Sequence, residues 1–112
     1  MLTGAERRLF EGQAPLGLIL FARNVETPEQ VRALVADFRE AVGRPDAPVL
    51  IDQEGGRVAR LRPPHWTERV PAARFGALAA HDRALAARAA ELNARLIAAE
   101  LADLGITVDC AP

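Results

Sequence analysis

Lysine is absent from this chain. All fourteen basic residues are arginine, set against fifteen acids, for a net charge of −1 and a pI near 6.1. That balance gives no electrostatic case for a nucleic-acid partner or for an anionic membrane surface. The arginines are spread along the chain among acids rather than gathered to grip phosphate, and with the heavy use of alanine they read as genomic composition bias. Cysteine occurs once, at Cys110. An internal disulfide is excluded, and in its apolar, strand-like run the thiol reads as buried and structural rather than nucleophilic. No apolar run approaches the ~20 residues of a membrane span, and no secretory leader precedes the first helix pattern, so a cytoplasmic location is expected. Internal repeats and low-complexity linkers are also missing.

What is present is half hydrophobic, in 112 residues and 12.1 kDa. That composition suits one small globular domain or a piece of a larger one. The organising stretch is Val49-Leu50-Ile51-Asp52-Gln53-Glu54-Gly55-Gly56-Arg57-Val58-Ala59-Arg60. Val49 to Ile51 predict a short strand buried on both faces, of the kind found in parallel sheets. It ends in two carboxylates, two glycines and a series of arginines. Carboxylates at the carboxyl end of a buried strand stand where α/β folds and barrels build their sites. Gly55-Gly56 permits positive φ and a sharp turn that presents Asp52 at the mouth. The alternative is a strand-ending turn whose acids are merely solvated.

Thr3 with Glu6 forms a capping-box pattern for a helix to about Glu11, stopped by Gly12 and Pro15. Residues 17–22 read as a second apolar strand. Thr27 as N-cap, Pro28 at N1 and Gln30 closing the box open a helix whose stripe is Val31, Leu34, Val35, Phe38 and Val42, with Gly43 and Pro45 ending it. Residues 17–52 therefore spell strand, helix, strand, the crossover that a parallel pair requires. From Gln53 to about His81 the chain reads as one long irregular loop, a site wall rather than a connector. In it, His65-Trp66 either stack on a sugar or base or, the preferred reading, pin the loop to the body. Asp82 opens an alanine-rich helix to Leu104, with Gly105 as its stop and Leu85, Ala89, Leu92, Leu96 and Ala99 as its buried face. Glu91 and Arg95 read as a solvated i,i+4 pair. Residues 106–112 begin a third strand.

This order gives an incomplete α/β sheet, bare on one face and at its edges. A (β/α)₈ barrel takes roughly 250 residues. The expected fold class is thus a partial (β/α)₈ TIM barrel, or a protomer that needs partners to cover it, with self-association as one consequence.

Three runs carry a resemblance to a known family: Gly17-Leu18-Ile19-Leu20-Phe21-Ala22-Arg23-Asn24, then Asp52-Gln53-Glu54-Gly55-Gly56-Arg57-Val58, then Gly105-Ile106-Thr107-Val108-Asp109-Cys110-Ala111-Pro112. Together they resemble glycoside hydrolase family 3, within it the bacterial cytoplasmic β-N-acetylhexosaminidases. The resemblance covers nearly the whole chain, residues 1–112, as the N-terminal segment of a barrel domain lacking the first strand and everything after the third. It implies a retaining hydrolase, acting through a covalent glycosyl-aspartate, that releases terminal N-acetylglucosamine from peptidoglycan-derived muropeptides. It implies neither a metal nor an organic cofactor. The family's nucleophile and acid/base fall outside the resemblance, so no catalytic residue is assigned and the chain alone is expected to be inactive. Asp52 and Arg60 take the substrate-binding roles; Glu54, Gly55, Gly56 and Arg57 support the loop, Glu54 by pairing with Arg57 or Arg23. Asp52 and Glu54 as the two glycosidase carboxylates are rejected, because one short turn places both on one side of a sugar whose bond must be flanked. A family 3 β-glucosidase-like specificity and a non-catalytic sugar-binding or association fragment remain as alternatives.

Overall fold

The computed structural model describes residues 1–111. In chain order its elements are α1 (Gly4–Gln13), β1 (Leu18–Leu20), a 3₁₀ turn (Ala22–Asn24), α2 (Pro28–Ala41), β2 (Val49–Ile51), α3 (Ala72–Ala79), α4 (Arg83–Asp103) and β3 (Val108–Asp109). Local chemistry sets most of the boundaries. The Thr3 hydroxyl accepts from the Glu6 N–H at 3.2 Å while the Glu6 carboxylate accepts from the Thr3 N–H at 2.7 Å. Donation from the Thr3 hydroxyl, then from its backbone, holds the Glu6 carboxyl below its ordinary pKa. α1 does not stop at Gly12. It runs through to Gln13, and Ala14 turns the chain at φ 43° while its N–H closes the last turn onto Phe10. Thr27 caps α2 with Pro28 in the first turn. Gln30 does not close the box on Thr27: it accepts from the Glu26 N–H at 3.1 Å and donates to the Asn24 carbonyl at 3.0 Å, tying the helix start to the turn after β1.

The three strands form one parallel sheet in the order β1-β2-β3, with Leu18 opposite Val49, Leu20 opposite Ile51, and Ile51 opposite Asp109. Strand alternation divides the side chains between two faces. Leu20, Val49 and Ile51 pack beneath Val31, Leu34, Val35 and Phe38 of α2 and Ile97 and Leu101 of α4, all buried. Phe38 is at the centre, with Phe10 of α1 edge-on to it at 5.4 Å. The opposite face carries Ile19 and Val108, which are exposed, and the half-buried Leu50. The expectation that residues 49–51 are buried on both faces therefore fails for Leu50, because every helix packed on the sheet lies on the other side.

Two further expectations are corrected. Residues 53–81 are not one loop, since Ala72–Ala79 form α3, which packs along α4. The buried face of α4 is also not the leucine stripe. Leu85, Leu92 and Leu96 are 53%, 44% and 52% exposed, and the helix seats through Ala86, Ile97 and Leu101. The two stripes lie about 100° apart on the helix, and the sequence favours the one with more leucines. A helix of 21 residues is about 30 Å long and outruns a sheet whose strands have two or three residues, so much of its apolar surface meets no described element.

The radius of gyration is 16.2 Å, against about 13 Å for a compact domain of this length. The molecule is an open slab, helices on one face. Exposed strand edges and an apolar groove of about 890 Å³ beside Ile97, Leu101 and Ile106 lead to one expected outcome: the isolated chain self-associates. Sedimentation and thermal melts over a concentration series check this. A sharp, concentration-independent transition with a monomer mass would contradict it.

Candidate functional site

β2 ends at Ile51, and alternation carries the next two side chains to opposite sides. Asp52 follows Leu50 toward the open face, while Gln53 follows Ile51 under α4, where it is 1% exposed. The chain then doubles back. The N–H groups of Glu54 and Gly55 both donate to the Val58 carbonyl, at 2.9 and 3.0 Å, and Gly55 bridges Val58 in an antiparallel pair. Gly55 and Gly56 have φ of 100° and 58°, the left-handed region that other residues rarely enter. The space excludes side chains as well: a Cβ on Gly55 would stand 2.5 Å from the Val70 carbonyl, and one on Gly56 2.8 Å from Pro71 Cβ. The Gly56 N–H donates to the Arg69 carbonyl at 2.8 Å, and Arg69 itself pairs with Glu100 of α4 at 2.6 Å. The double glycine is thus the place where the segment 69–71 clamps the turn.

The turn returns Arg60 to Asp52, with Nη2 donating to Oδ2 at 2.7 Å. Both side chains are about three-quarters buried, at 24% and 23% exposure. Among the described residues neither Asp52 Oδ1 nor Arg60 Nη1 has a hydrogen-bond partner, so the pair keeps an acceptor and donors for a polar ligand. The guanidinium carbons of Arg23 and Arg60 lie 4.9 and 5.9 Å from the Phe21 ring centre, so the end of β1 supplies an aromatic support.

The structure brings Asp52, Arg60, Gly55 and Gly56 together in one turn. Glu54 is not paired with Arg57 or Arg23: no ion pair involves it among the described residues. Its backbone N–H holds the turn instead, and Arg23 is drawn to Phe21. Arg57 is exposed and supports the loop only through its carbonyl, which accepts from Arg62 at 2.9 Å. Cys110 is exposed, not buried: its N–H still donates to the Ile51 carbonyl at 2.8 Å, and strand alternation turns its side chain to the uncovered face with Val108. Trp66 is buried and pins the loop, with exposed His65 edge-on to it at 5.7 Å.

Two polar residues escaped the sequence reading. Gln53 bonds to the Arg60-Leu61 backbone, and Asp109 accepts from the Gln53 N–H at 2.9 Å. Continuing the strand alternation one residue past Ile51 marks Gln53 as inward-facing. Nothing in the sequence announces Asp109 as its partner. Burial, then the neighbouring charges of Asp52 and Glu54, push the Asp109 carboxyl above its ordinary pKa, against the opposing bond from Gln53. The described residues hold no group of three or more His, Cys, Asp or Glu suited to a metal, and no helix is long and apolar enough to cross a membrane.

Residues 6–112 match the glycosyl hydrolase family 3 N terminal domain. The chain belongs to glycosyl hydrolase family 3. This family 3 chain is 40% identical over 111 residues to the beta-hexosaminidase of Xanthomonas euvesicatoria pv. vesicatoria (strain 85-10), covering 99% of its own length and 33% of that protein. It is 41% identical over 111 residues to the beta-hexosaminidase of Pseudomonas aeruginosa (strain LESB58), covering 99% of itself and 31% of the relative. It superposes with a TM-score of 0.90 on NagZ from Neisseria gonorrhoeae in complex with N-trifluoroacetyl-D-glucosamine, at 31% identity over 99% of this chain and 32% of that one. The family 3 chain thus spans about a third of the length of these relatives.

In the family 3 segment the raised pKa of Asp109 has a stability consequence with a definite sign. A carboxyl raised on folding favours the native state while protonated, below the ordinary value of 3.8, and that advantage is lost as pH rises through the folded value. Asp109→Asn keeps an oxygen for the Gln53 N–H and removes the charge facing Asp52 and Glu54. It is expected to raise the thermal midpoint at pH 7, with the gain shrinking as pH falls toward 3.8. Melts across that range check it, and a lower midpoint at pH 7 would contradict the repulsion.

Proposed function

We propose that this chain is the N-terminal segment of a (β/α)₈ barrel glycosidase that removes terminal N-acetylhexosamine, and that Asp52 and Arg60 bind the sugar. The observation that carries the reading is the Asp52–Arg60 pair at the carboxyl end of a parallel strand, with an unused acceptor and unused donors. Its setting in a one-sided parallel sheet supports the barrel, since a further run of strand-helix units would cover the bare face and edges. The names of the beta-hexosaminidase relatives, and the N-trifluoroacetyl-D-glucosamine bound to one neighbour, support the sugar class. Peptidoglycan-derived muropeptides as the substrate and the cytoplasm as the location complete the proposal.

The chemistry assigned to this segment is orientation. A carboxylate accepts hydrogen bonds from two neighbouring ring hydroxyls, and a guanidinium donates to one of them, so a sugar ring is held in a single pose. Arg60 occupies one oxygen of Asp52 and fixes the direction of the other. Asp52 and Glu54 belong to one turn and cannot flank a glycosidic bond, so the nucleophile and acid/base are supplied from outside this segment.

The test is kinetic, in the enzyme that carries this chain. Hydrogen bonds to a charged group contribute ~1.5–3 kcal/mol each, so Asp52→Ala is expected to lower kcat/KM for a chromogenic N-acetylglucosaminide by roughly ten- to a few-hundredfold. Asp52→Asn loses nearly as much, because the amide must turn its NH2 donor either on the Arg60 guanidinium or on the sugar. Neither variant changes retention of configuration, and azide rescues neither. Azide rescue would make Asp52 the nucleophile, and full activity in Asp52→Ala would remove it from the site.

A further inference from the structure

We propose that Gln53 is the positioning residue of this site: its buried amide holds the Arg60-Leu61 backbone so that the Arg60 guanidinium is delivered to Asp52. The proposal rests on Asp52 and Arg60 being the sugar-binding pair. Gln53 Oε1 accepts from the N–H groups of Arg60 at 2.8 Å and Leu61 at 3.0 Å, and Nε2 donates to the Leu61 carbonyl at 3.0 Å. One side chain thus closes the two ends of the loop 53–61 with three bonds. The anchor is itself fixed, since its backbone N–H donates to Asp109 on β3. The result is a continuous relay from β3 through Gln53 and the Arg60 backbone to the Asp52 carboxylate.

Packing does not require an amide here. An apolar side chain of the same length would fill the same space at a position 1% exposed. The amide is needed because the Arg60 and Leu61 N–H groups and the Leu61 carbonyl are turned inward, and buried backbone groups demand partners. They are turned inward because the chain doubles back to set residue 60 over residue 52. Nor does the Arg60 side chain anchor itself: among the described residues its Nε is buried without a partner, and its one hydrogen bond is the bond to Asp52. Register must therefore come from the backbone, and Gln53 is what grips the backbone.

A double-mutant cycle in the enzyme that carries this segment separates positioning from simple packing. Arg60→Ala and Gln53→Met are each expected to lower kcat/KM for a chromogenic N-acetylglucosaminide by about tenfold, with the double variant no worse than Arg60→Ala alone, because coupled residues are non-additive. Losses that multiply to about a hundredfold would mean that Gln53 acts independently of Arg60, and would overturn the proposal. The site reading fails separately: there, Asp52→Ala and Arg60→Ala would both be harmless. In that event the claim is decided, in the same enzyme, by nitrogen-15 NMR of the Arg60 guanidinium. Slow rotation with separate Nη signals is expected in the wild type. Gln53→Met should merge those signals. Where Gln53→Met does not fold, Gln53→Asn takes its place in both measurements, being one methylene too short to reach. A guanidinium as immobile in these variants as in the wild type would overturn the proposal.

Discussion

The site depends on a turn that only two adjacent glycines can make. Gly55 and Gly56 take left-handed backbone angles and lie so close to Val70 and Pro71 that a methyl group at either meets another atom within 2.8 Å. Because the turn is this tight, residue 60 returns to residue 52, and a carboxylate and a guanidinium from one short segment end 2.7 Å apart. The pair is partly buried, so it is screened less than a surface pair and its geometry is held by the surrounding loop. Around it, Gln53 ties the loop to the strand, Arg69 ties it to α4, and Phe21 sits beneath the arginines.

The second constraint is one-sidedness. All three strands run parallel, and the helices packed on them cover one face, so Ile19, Leu50 and Val108 form an apolar surface that no described element covers. Parallel sheets are stable when both faces are covered, either by helices or by the inward packing of a closed barrel. The same geometry sets Asp52 on the uncovered side at the carboxyl end of β2, the strand end at which (β/α)₈ barrels build their sites. Incomplete core and accessible site are two consequences of one arrangement.

Much of this was legible in the sequence because local chemistry decides it. Thr3 and Thr27 cap their helices, Pro28 opens α2, Asp82 opens α4, and Gly43 and Gly105 take positive φ at the helix ends. Asp52 and the glycine pair are legible because residue types and spacing define a turn at the strand end, whereas Arg60 is singled out only by the family resemblance. Features set by long-range packing were not legible. The seating of α4 is chosen by contact with the sheet, so Ile97 and Leu101 are buried although Leu92 and Leu96 make the more regular stripe. An arginine partner for Glu54, Arg57 or Arg23, is suggested by its charge, but Arg23 turns to Phe21 and Arg57 is exposed. Asp109 lies 56 positions from the amide it caps, a pairing that only the folded register creates.

The central claim is that Asp52 and Arg60 orient a sugar without attacking it. The most direct measurement is a crystal structure of the protein that carries this chain with N-acetylglucosamine bound. Asp52 is predicted to accept from two neighbouring ring hydroxyls, with Arg60 donating to one of them and the anomeric carbon turned away from both. An anomeric carbon facing Asp52, or a sugar bound with no contact to the pair, would contradict it.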